Sequence, residues 1–279
     1  MRRRFTALVS AAVEALEQVD GWPAETVAAA VVRDGEVVAT HGPREREFRW
    51  ASVTKPVTAL AVLVAAEERT VDLDEPAGPP GSTVRHLLAH ASGLPFDGRE
   101  PIAPPGRRRI YSNTGFAVLG EVVAERSEMP FERYLAGAVL DPLGMRGELR
   151  GSPGSDLFGS LDDLVAVARE LLSPTLVAPE TLAEATTVQF PGLAGVIPEM
   201  GRFDPNDWGL GFELRDEKPG HWSGTKTSPR TFGHWGGSGT FLWIDPDTGV
   251  ALGVLTDLDF GDWAKEAWPA LSDAVLTPP

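Results

Sequence analysis

Phe48-Arg49-Trp50-Ala51-Ser52-Val53-Thr54-Lys55 opens a long helical pattern that runs from about Val53 to Arg69, with Pro56 in its first turn. Proline is tolerated there because an N–H at that position has no partner inside the helix. Ser52 and Lys55 are three residues apart, about one turn, so both side chains share a face. A serine hydroxyl is a weak nucleophile until a base removes its proton. An amine can be that base if burial or a nearby positive charge lowers its pKa. The start of a helix also offers free N–H groups and a positive dipole end to developing negative charge. Taken alone, the tetrapeptide is better read as a capping serine beside a solvated lysine.

Outward from this point the chain is organised in three stretches. Before it, Leu8, Ala12, Ala15, Leu16 and Val19 recur at helical spacing. Val27 to Val32 and Glu36 to Thr40 flank Asp34-Gly35, a hairpin signal. After it come helical patterns over Val84 to Ala89, Gly115 to Ser127, Phe131 to Val139, Leu161 to Leu172 and Thr181 to Thr186. Ser160 and Asp163 form a capping-box-like start to the fourth. Gly192 to Pro205 reads as loop. Trp208 to Leu214, Thr231 to His234, Thr240 to Ile244 and Val250 to Thr256 then read as strands, and Trp263 to Leu276 as a last helix. The order predicts an α/β (α+β) fold: an antiparallel sheet built from both chain ends, residues 1–55 and 205–279, flanked by terminal helices. A helical region, residues 56–204, is inserted, and the active site lies between the two.

Two further motifs stand far from Ser52 in sequence. Tyr111-Ser112-Asn113 precedes a helical run and alone is a turn with Asn113 as N-cap. His234-Trp235-Gly236-Gly237 ends a strand and alone is a core histidine with a glycine turn. In this order, S-x-x-K, Tyr-x-Asn and a His-x-Gly strand resemble the serine β-lactamase and penicillin-binding-protein superfamily. The block around Ser52 looks like that of the class C β-lactamase-like serine hydrolases, including esterase-type members. So do Val71-Asp72-Leu73-Asp74, the run Val84 to Leu94, Pro105-Gly106 before Tyr111, Asp141 to Met145, and Phe232 onward to Thr256. The likeness covers about residues 25 to 257.

The resemblance implies the β-lactamase-like fold and a set of roles. Ser52 is the acylated nucleophile and Lys55 its base. Tyr111 is a general base and acid sharing protons with Lys55, and Asn113 bonds Lys55 and the substrate. His234 replaces a strand lysine and either tunes Tyr111 or touches a substrate carboxylate. The backbone N–H groups of Ser52 and Gly237, beyond Gly236, form the oxyanion hole. No metal and no cofactor are implied. Trp235 departs from the family pattern, which has a hydroxyl residue there to hold a β-lactam or peptide carboxylate; Ser238 is a partial substitute. That departure favours an esterase or amidase acting on an uncharged or apolar acyl compound over a true β-lactamase or D-alanyl-D-alanine carboxypeptidase. Trp208 and Trp222 are read as core or as an aromatic site wall. A non-catalytic ligand-binding member of the family is the alternative from another class, and the presence of Ser52, Lys55 and Tyr111 weighs against it.

Composition narrows the remaining possibilities. A chain of 279 residues with 42% hydrophobic and 23% charged residues is an ordinary globular protein of one large or two smaller domains. The absence of cysteine excludes disulfides, iron–sulfur clusters and a thiol nucleophile. A formal charge of −15 makes nucleic acid and anionic lipid poor partners; a small-molecule ester, amide or β-lactam is the partner that the resemblance implies. The run Arg107-Arg108-Arg109 reads as solvated charge. Arg2 to Arg4 ahead of an apolar run is like a signal-peptide start, but Glu14 and Glu17 interrupt it, which favours the cytoplasm, with export as the alternative if the segment is cleaved. No stretch is long enough to span a bilayer. His86 and His90 have zinc-like spacing without the glutamate of H-E-x-x-H and are read as structural; Asp245 to Gly249 is a turn rather than a calcium loop. Gly236 to Thr240 misses G-x-S-x-G at its last position. Oligomeric state is left open.

Overall fold

The computed structural model describes residues 2–277, with side chains from residue 9 onward, so Leu8 falls outside the described side chains. In chain order the elements are α1 (Arg2–Leu16), β1 (Val27–Arg33), β2 (Glu36–His41), β3 (Phe48–Arg49), α2 (Thr54–Glu67), α3 (Val84–Leu88) and β4 (Arg109–Ile110). There follow α4 (Asn113–Ser127), α5 (Phe131–Leu135), β5 (Glu148–Leu149), β6 (Leu157–Gly159), α6 (Leu161–Leu172) and α7 (Pro179–Ala185). The chain ends with β7 (Gly195–Ile197), β8 (Gly201–Phe203), β9 (Glu213–Leu214), β10 (Phe232–Gly236), β11 (Thr240–Asp245), β12 (Val250–Thr256) and α8 (Asp262–Val275).

The main sheet has the order β2-β1-β12-β11-β10-β9 and is antiparallel throughout, joining both ends of the chain as expected. Asp34 and Gly35 both have positive φ, 50° and 80°, as a tight two-residue hairpin turn requires. Strand alternation then sorts the core into two layers. Val27, Ala29 and Val31 join Ala12, Ala15, Leu16 and Val19 of the N-terminal segment and Trp268 of α8 on one face. Ala28, Ala30 and Val32 join α2 and α6 on the other. Helix α2 is apolar nearly all round, and residues 54 to 65 are all buried, so the helix that follows Ser52 is fixed on every side.

Several elements differ from the sequence reading. Gly192 to Pro205 is not simply loop: β7 and β8 form a hairpin that joins β4 in a second sheet. Three-residue strands carry no readable alternation, and Gly195 is there because a Cβ would lie 2.5 Å from the Arg109 carbonyl oxygen. Trp208 to Leu214 keeps only β9 and one bridge from Trp208 to Glu213. Gly209 presses on Ala185 and Gly211 turns at φ 87°, which breaks the strand. Past Leu135 the helix widens into a π-helical turn, Ala136–Leu140. The capping box at Ser160 and Asp163 is present as read. Helix α6, though inside the 56–204 stretch, packs on β1, β11 and β12 of the main sheet.

The arginine run is the clearest reversal. Arg107 and Arg108 are exposed, but Arg109 is buried. Its guanidinium donates to the carbonyls of Ala89, Asn206, Gln189 and Phe190 at 2.6 to 3.3 Å. Five fixed donors make arginine suited to gathering carbonyls from several loops at once, and nothing local in the sequence separates it from its two neighbours.

Candidate active site

Ser52 sits in a short 3-10 turn, Ala51–Val53, between β3 and α2. The buried Trp50 ring fixes the entry, its indole N–H donating to the Gly159 carbonyl at 3.2 Å. Ala51 has φ 45°, a conformation that L residues rarely adopt, and the surroundings hold it there. Thr240 donates to the Trp50 carbonyl at 2.9 Å and Ser238 to the Arg49 carbonyl at 2.7 Å. The nucleophile turn is thereby tied to the β10–β11 turn.

Lys55 is wholly buried, and burial lowers its pKa to about 7 against the opposing pull of Asp97 and Asp156. Its Nζ lies 2.7 Å from Asn113 Oδ1, 2.8 Å from the Gly154 carbonyl and 3.3 Å from Ser52 Oγ. The first two partners are pure acceptors and take two N–H bonds. A neutral amine then has its lone pair left for the Ser52 hydroxyl, which is the arrangement a general base needs.

Tyr111 lies with its ring 4.7 Å from Lys55 Nζ. Burial pushes its phenol well above the ordinary range, against the smaller opposing effect of a hydrogen bond with Ser52, so it is protonated at neutral pH. Its hydroxyl is 3.4 Å from His234 Nε2. His234 Nδ1 is 2.6 Å from the Trp235 carbonyl, which can only accept, so Nδ1 carries the proton and Nε2 presents a lone pair to Tyr111. Burial and the nearby Lys55 lower the imidazole pKa to about 3 and keep it neutral. It therefore brings no positive charge to a substrate carboxylate.

Asn113 is not the cap. Ser112 is the N-cap of α4, accepting from the Gly115 N–H at 2.9 Å and donating to the Pro95 carbonyl at 2.6 Å. Asn113 occupies the first helical position, which frees its amide for Lys55. His90 Nδ1 accepts from the Ser112 N–H at 3.1 Å, and His86 Nδ1 meets Thr83 at 2.9 Å, so both histidines bond loops. Among the described residues no cluster could hold a metal.

At the end of β10, Gly236 is where the two segments touch. A Cβ there would lie 2.4 Å from the Trp50 carbonyl oxygen and 2.5 Å from Thr240 Oγ1. Gly237 is exposed on the cleft beside Ser52, and its N–H makes no backbone bond among the described residues. Ser238, read as a substitute substrate hydroxyl, is instead committed to Arg49 and does not line the cleft. Trp235 and Trp208 do line it; Trp222 does not, and its indole N–H donates to Glu213 at 2.9 Å.

The cleft has a volume of about 350 Å³ and opens directly over Ser52, Tyr111 and His234. The sequence reading missed two contributors. Gly154 gives the carbonyl that fixes Lys55, in a loop held by the Thr58 hydroxyl on the Pro153 carbonyl at 2.7 Å. Glu213 reaches the cleft wall while buried against Lys218 at 3.5 Å and His221 at 3.1 Å. Burial pushes its carboxyl up, but Lys218 and its other partners outweigh that and hold the pKa at about 2. Neither residue has a local sequence signal, because their partners lie across the fold or beyond a loop.

Residues 14–276 match the protein family described as Beta-lactamase. The chain belongs to the Beta-lactamase family. The crystal structure of a beta-lactamase from Mycobacterium bovis superposes on it with a TM-score of 0.93 at 55% identity, covering 94% of this chain and 98% of that one. Esterase EstB of Burkholderia gladioli is 25% identical over 88% of this chain and 89% of its own. Penicillin-binding protein 4* of Bacillus subtilis (strain 168) is 29% identical, but over only 35% of this chain and 29% of its own length. Within the Beta-lactamase family the relatives thus carry the names beta-lactamase, esterase and penicillin-binding protein, and the family alone does not choose among these activities. No helix among the described residues is long and apolar enough to cross a membrane.

Proposed function

We propose that the protein is a serine esterase or amidase that works through an acyl-enzyme on Ser52. The observation that carries the reading is the buried Lys55, with two acceptors on its N–H groups and its remaining valence toward Ser52 Oγ at 3.3 Å. Ser52 Oγ attacks the substrate carbonyl carbon as Lys55 takes its proton. The oxyanion forms beside the N–H groups of Ser52 and Gly237, where each donor contributes roughly 10²–10³ in rate. The C–O or C–N bond breaks, and the leaving group takes a proton from the Lys55–Tyr111 pair. Water then attacks the acyl-enzyme as Lys55 takes its proton; the acyl–Oγ bond breaks, Lys55 passes that proton to Ser52 Oγ, and the acid leaves with the Ser52 hydroxyl and neutral Lys55 restored. Tyr111, kept protonated by burial, is a proton donor and relay, and neutral His234 holds its hydroxyl in place.

Ester or amide substrates are favoured over β-lactams because, among the described residues, no lysine or arginine lines the cleft and its histidine is neutral, so a β-lactam carboxylate finds no counter-charge there. Parallel hydrolysis of nitrocefin and of short p-nitrophenyl esters, with Ser52→Ala as control, tests this. The reading expects ester turnover lost in the variant and nitrocefin kcat/KM at least about 100-fold lower. Fast nitrocefin turnover would place the protein with the true β-lactamases, the reading that its 55% likeness to the Mycobacterium bovis protein favours.

The same reading keeps the segment of residues 12–19 in the working protein, since Ala12, Ala15, Leu16 and Val19 are part of the core. N-terminal sequencing of protein from its own cell tests it; a start beyond about residue 20 contradicts it.

A further inference from the structure

The cleft over Ser52 carries unopposed negative charge. Its wall includes Glu199, in the β7–β8 hairpin, and Asp259, between β12 and α8. Both are exposed, and neither carboxylate meets a cation or a hydrogen-bond donor among the described residues. Glu213, the third carboxylate of the wall, is different: Lys218, His221 and Trp222 take it up completely. Lys265 reaches the Phe260 ring at 6.0 Å but is paired to Asp262 at 2.9 Å. Much of the rest of the wall is aromatic, with Phe96, Tyr111, Trp208, Trp235 and Phe260 beside the aliphatic Ile197 and Pro198. Phe260, next to Asp259 in the chain, packs on Trp235 with ring centroids 4.4 Å apart. Aromatic faces with carboxylates nearby attract an ammonium group, and they offer a carboxylate nothing. The net charge of −15 draws cations toward the molecule over a longer range.

We propose that the cleft selects acyl compounds bearing a fixed positive charge, of the ammonium class, with Glu199 and Asp259 as the residues that set this specificity. The inference rests on the Ser52 chemistry proposed above and names its substrate class. An exposed carboxylate a few ångströms from a cation contributes up to about fivefold at low salt, and it repels an anion by a similar factor. Two of them separate a cationic from an anionic ester of the same length by up to about 600-fold, and by about 25-fold where screening halves each contribution.

Three p-nitrophenyl esters of matched size test this: 4-(trimethylammonio)butyrate, 5,5-dimethylhexanoate and the mono-ester of adipate, which carry positive, zero and negative charge. At roughly 10 mM ionic strength kcat/KM falls in that order, and at about 1 M the spread shrinks. In the Glu199→Gln/Asp259→Asn double variant the cation-to-anion ratio collapses toward one. Equal rates for all three, preference for the adipate ester, or a ratio unmoved in the double variant would overturn the proposal while leaving Ser52 catalysis intact. A binding measurement decides independently of turnover, so failure of the catalytic reading is distinguished from failure of this one. Calorimetry on the Ser52→Ala protein with benzyltrimethylammonium and with phenylacetate should show the cation bound at least tenfold more tightly, with the difference lost in the double variant. Equal or tighter phenylacetate binding overturns it.

Discussion

Gly236→Ala perturbs the one point where β10 is pressed against the nucleophile turn. The new methyl would stand 2.4 Å from the Trp50 carbonyl oxygen, where ordinary van der Waals contact begins at 3.4 Å. About 1 Å must therefore be found by moving backbone. The carbonyl side is braced, since Trp50 O already accepts from Val53 N at 3.1 Å and Thr240 Oγ1 at 2.9 Å. The displacement falls on the end of β10, and so on the N–H of Gly237. A misplacement of about 1 Å in a catalytic group costs roughly 10²-fold, and loss of one oxyanion donor roughly 10²–10³. Hence kcat for a neutral p-nitrophenyl ester should fall by about 10²-fold or more with KM changed by less than about threefold. Overpacking should also cost about 1–3 kcal/mol, seen as a lowering of Tm by several degrees. Gly237→Ala is the control: a Cβ there meets nothing within 4 Å, so Tm should stay within about 1 °C. If Gly236→Ala folds and keeps kcat within threefold of the parent, the coupling of β10 to the oxyanion hole is refuted.

Other perturbations separate structural from chemical residues. Arg109→Met leaves four gathered carbonyls without donors and should lower stability by about 3 kcal/mol or more in a melting experiment. Arg107→Ala and Arg108→Ala should stay within about 0.5 kcal/mol, and equal losses in all three would contradict the burial difference. Ser238→Ala removes the bond to the Arg49 carbonyl and should cost about 1 kcal/mol while leaving KM for nitrocefin within about twofold; a large rise in that KM would restore Ser238 as a substrate contact. Deleting residues 1–20 strips Ala12, Ala15, Leu16 and Val19 from the core and should cost about 4–6 kcal/mol, with Tm reduced by more than about 10 °C. An unchanged melting curve would show that the first helix is not part of the fold.

What the sequence made legible was whatever had a local or periodic signature. The hairpin at Asp34-Gly35, the capping box at Ser160 and the antiparallel sheet built from both chain ends follow from turn chemistry and alternation, and they are found where expected. The three motifs around Ser52, Tyr111 and His234 were recognisable by order, and the fold brings them to one cleft. What stayed hidden depends on contacts between distant segments. Arg109 and its neighbours are the same residue type side by side, yet only the fold buries one. Ser238 looked like a substrate hydroxyl because its partner, Arg49, is far away in the chain. The strands of residues 195 to 203 are too short to show a period, and Gly154 acts through a carbonyl that every residue possesses. His234 could be placed beside Tyr111 by motif, but its neutrality and tautomer come from burial and the Trp235 carbonyl.

The central claim is that neutral Lys55 activates Ser52. The direct measurement is the rate at which a fluorophosphonate labels the protein from pH 5 to 9, with the modified residue located by mass spectrometry. Burial lowers the Lys55 pKa to about 7, so the competent neutral amine accumulates as pH rises through that value. Labelling at Ser52 should increase about tenfold per pH unit below 7 and level off above it, and it should be lost in Lys55→Met. Adduct on another residue, no adduct on folded protein, or a Ser52 rate flat between pH 5 and 9 would contradict it.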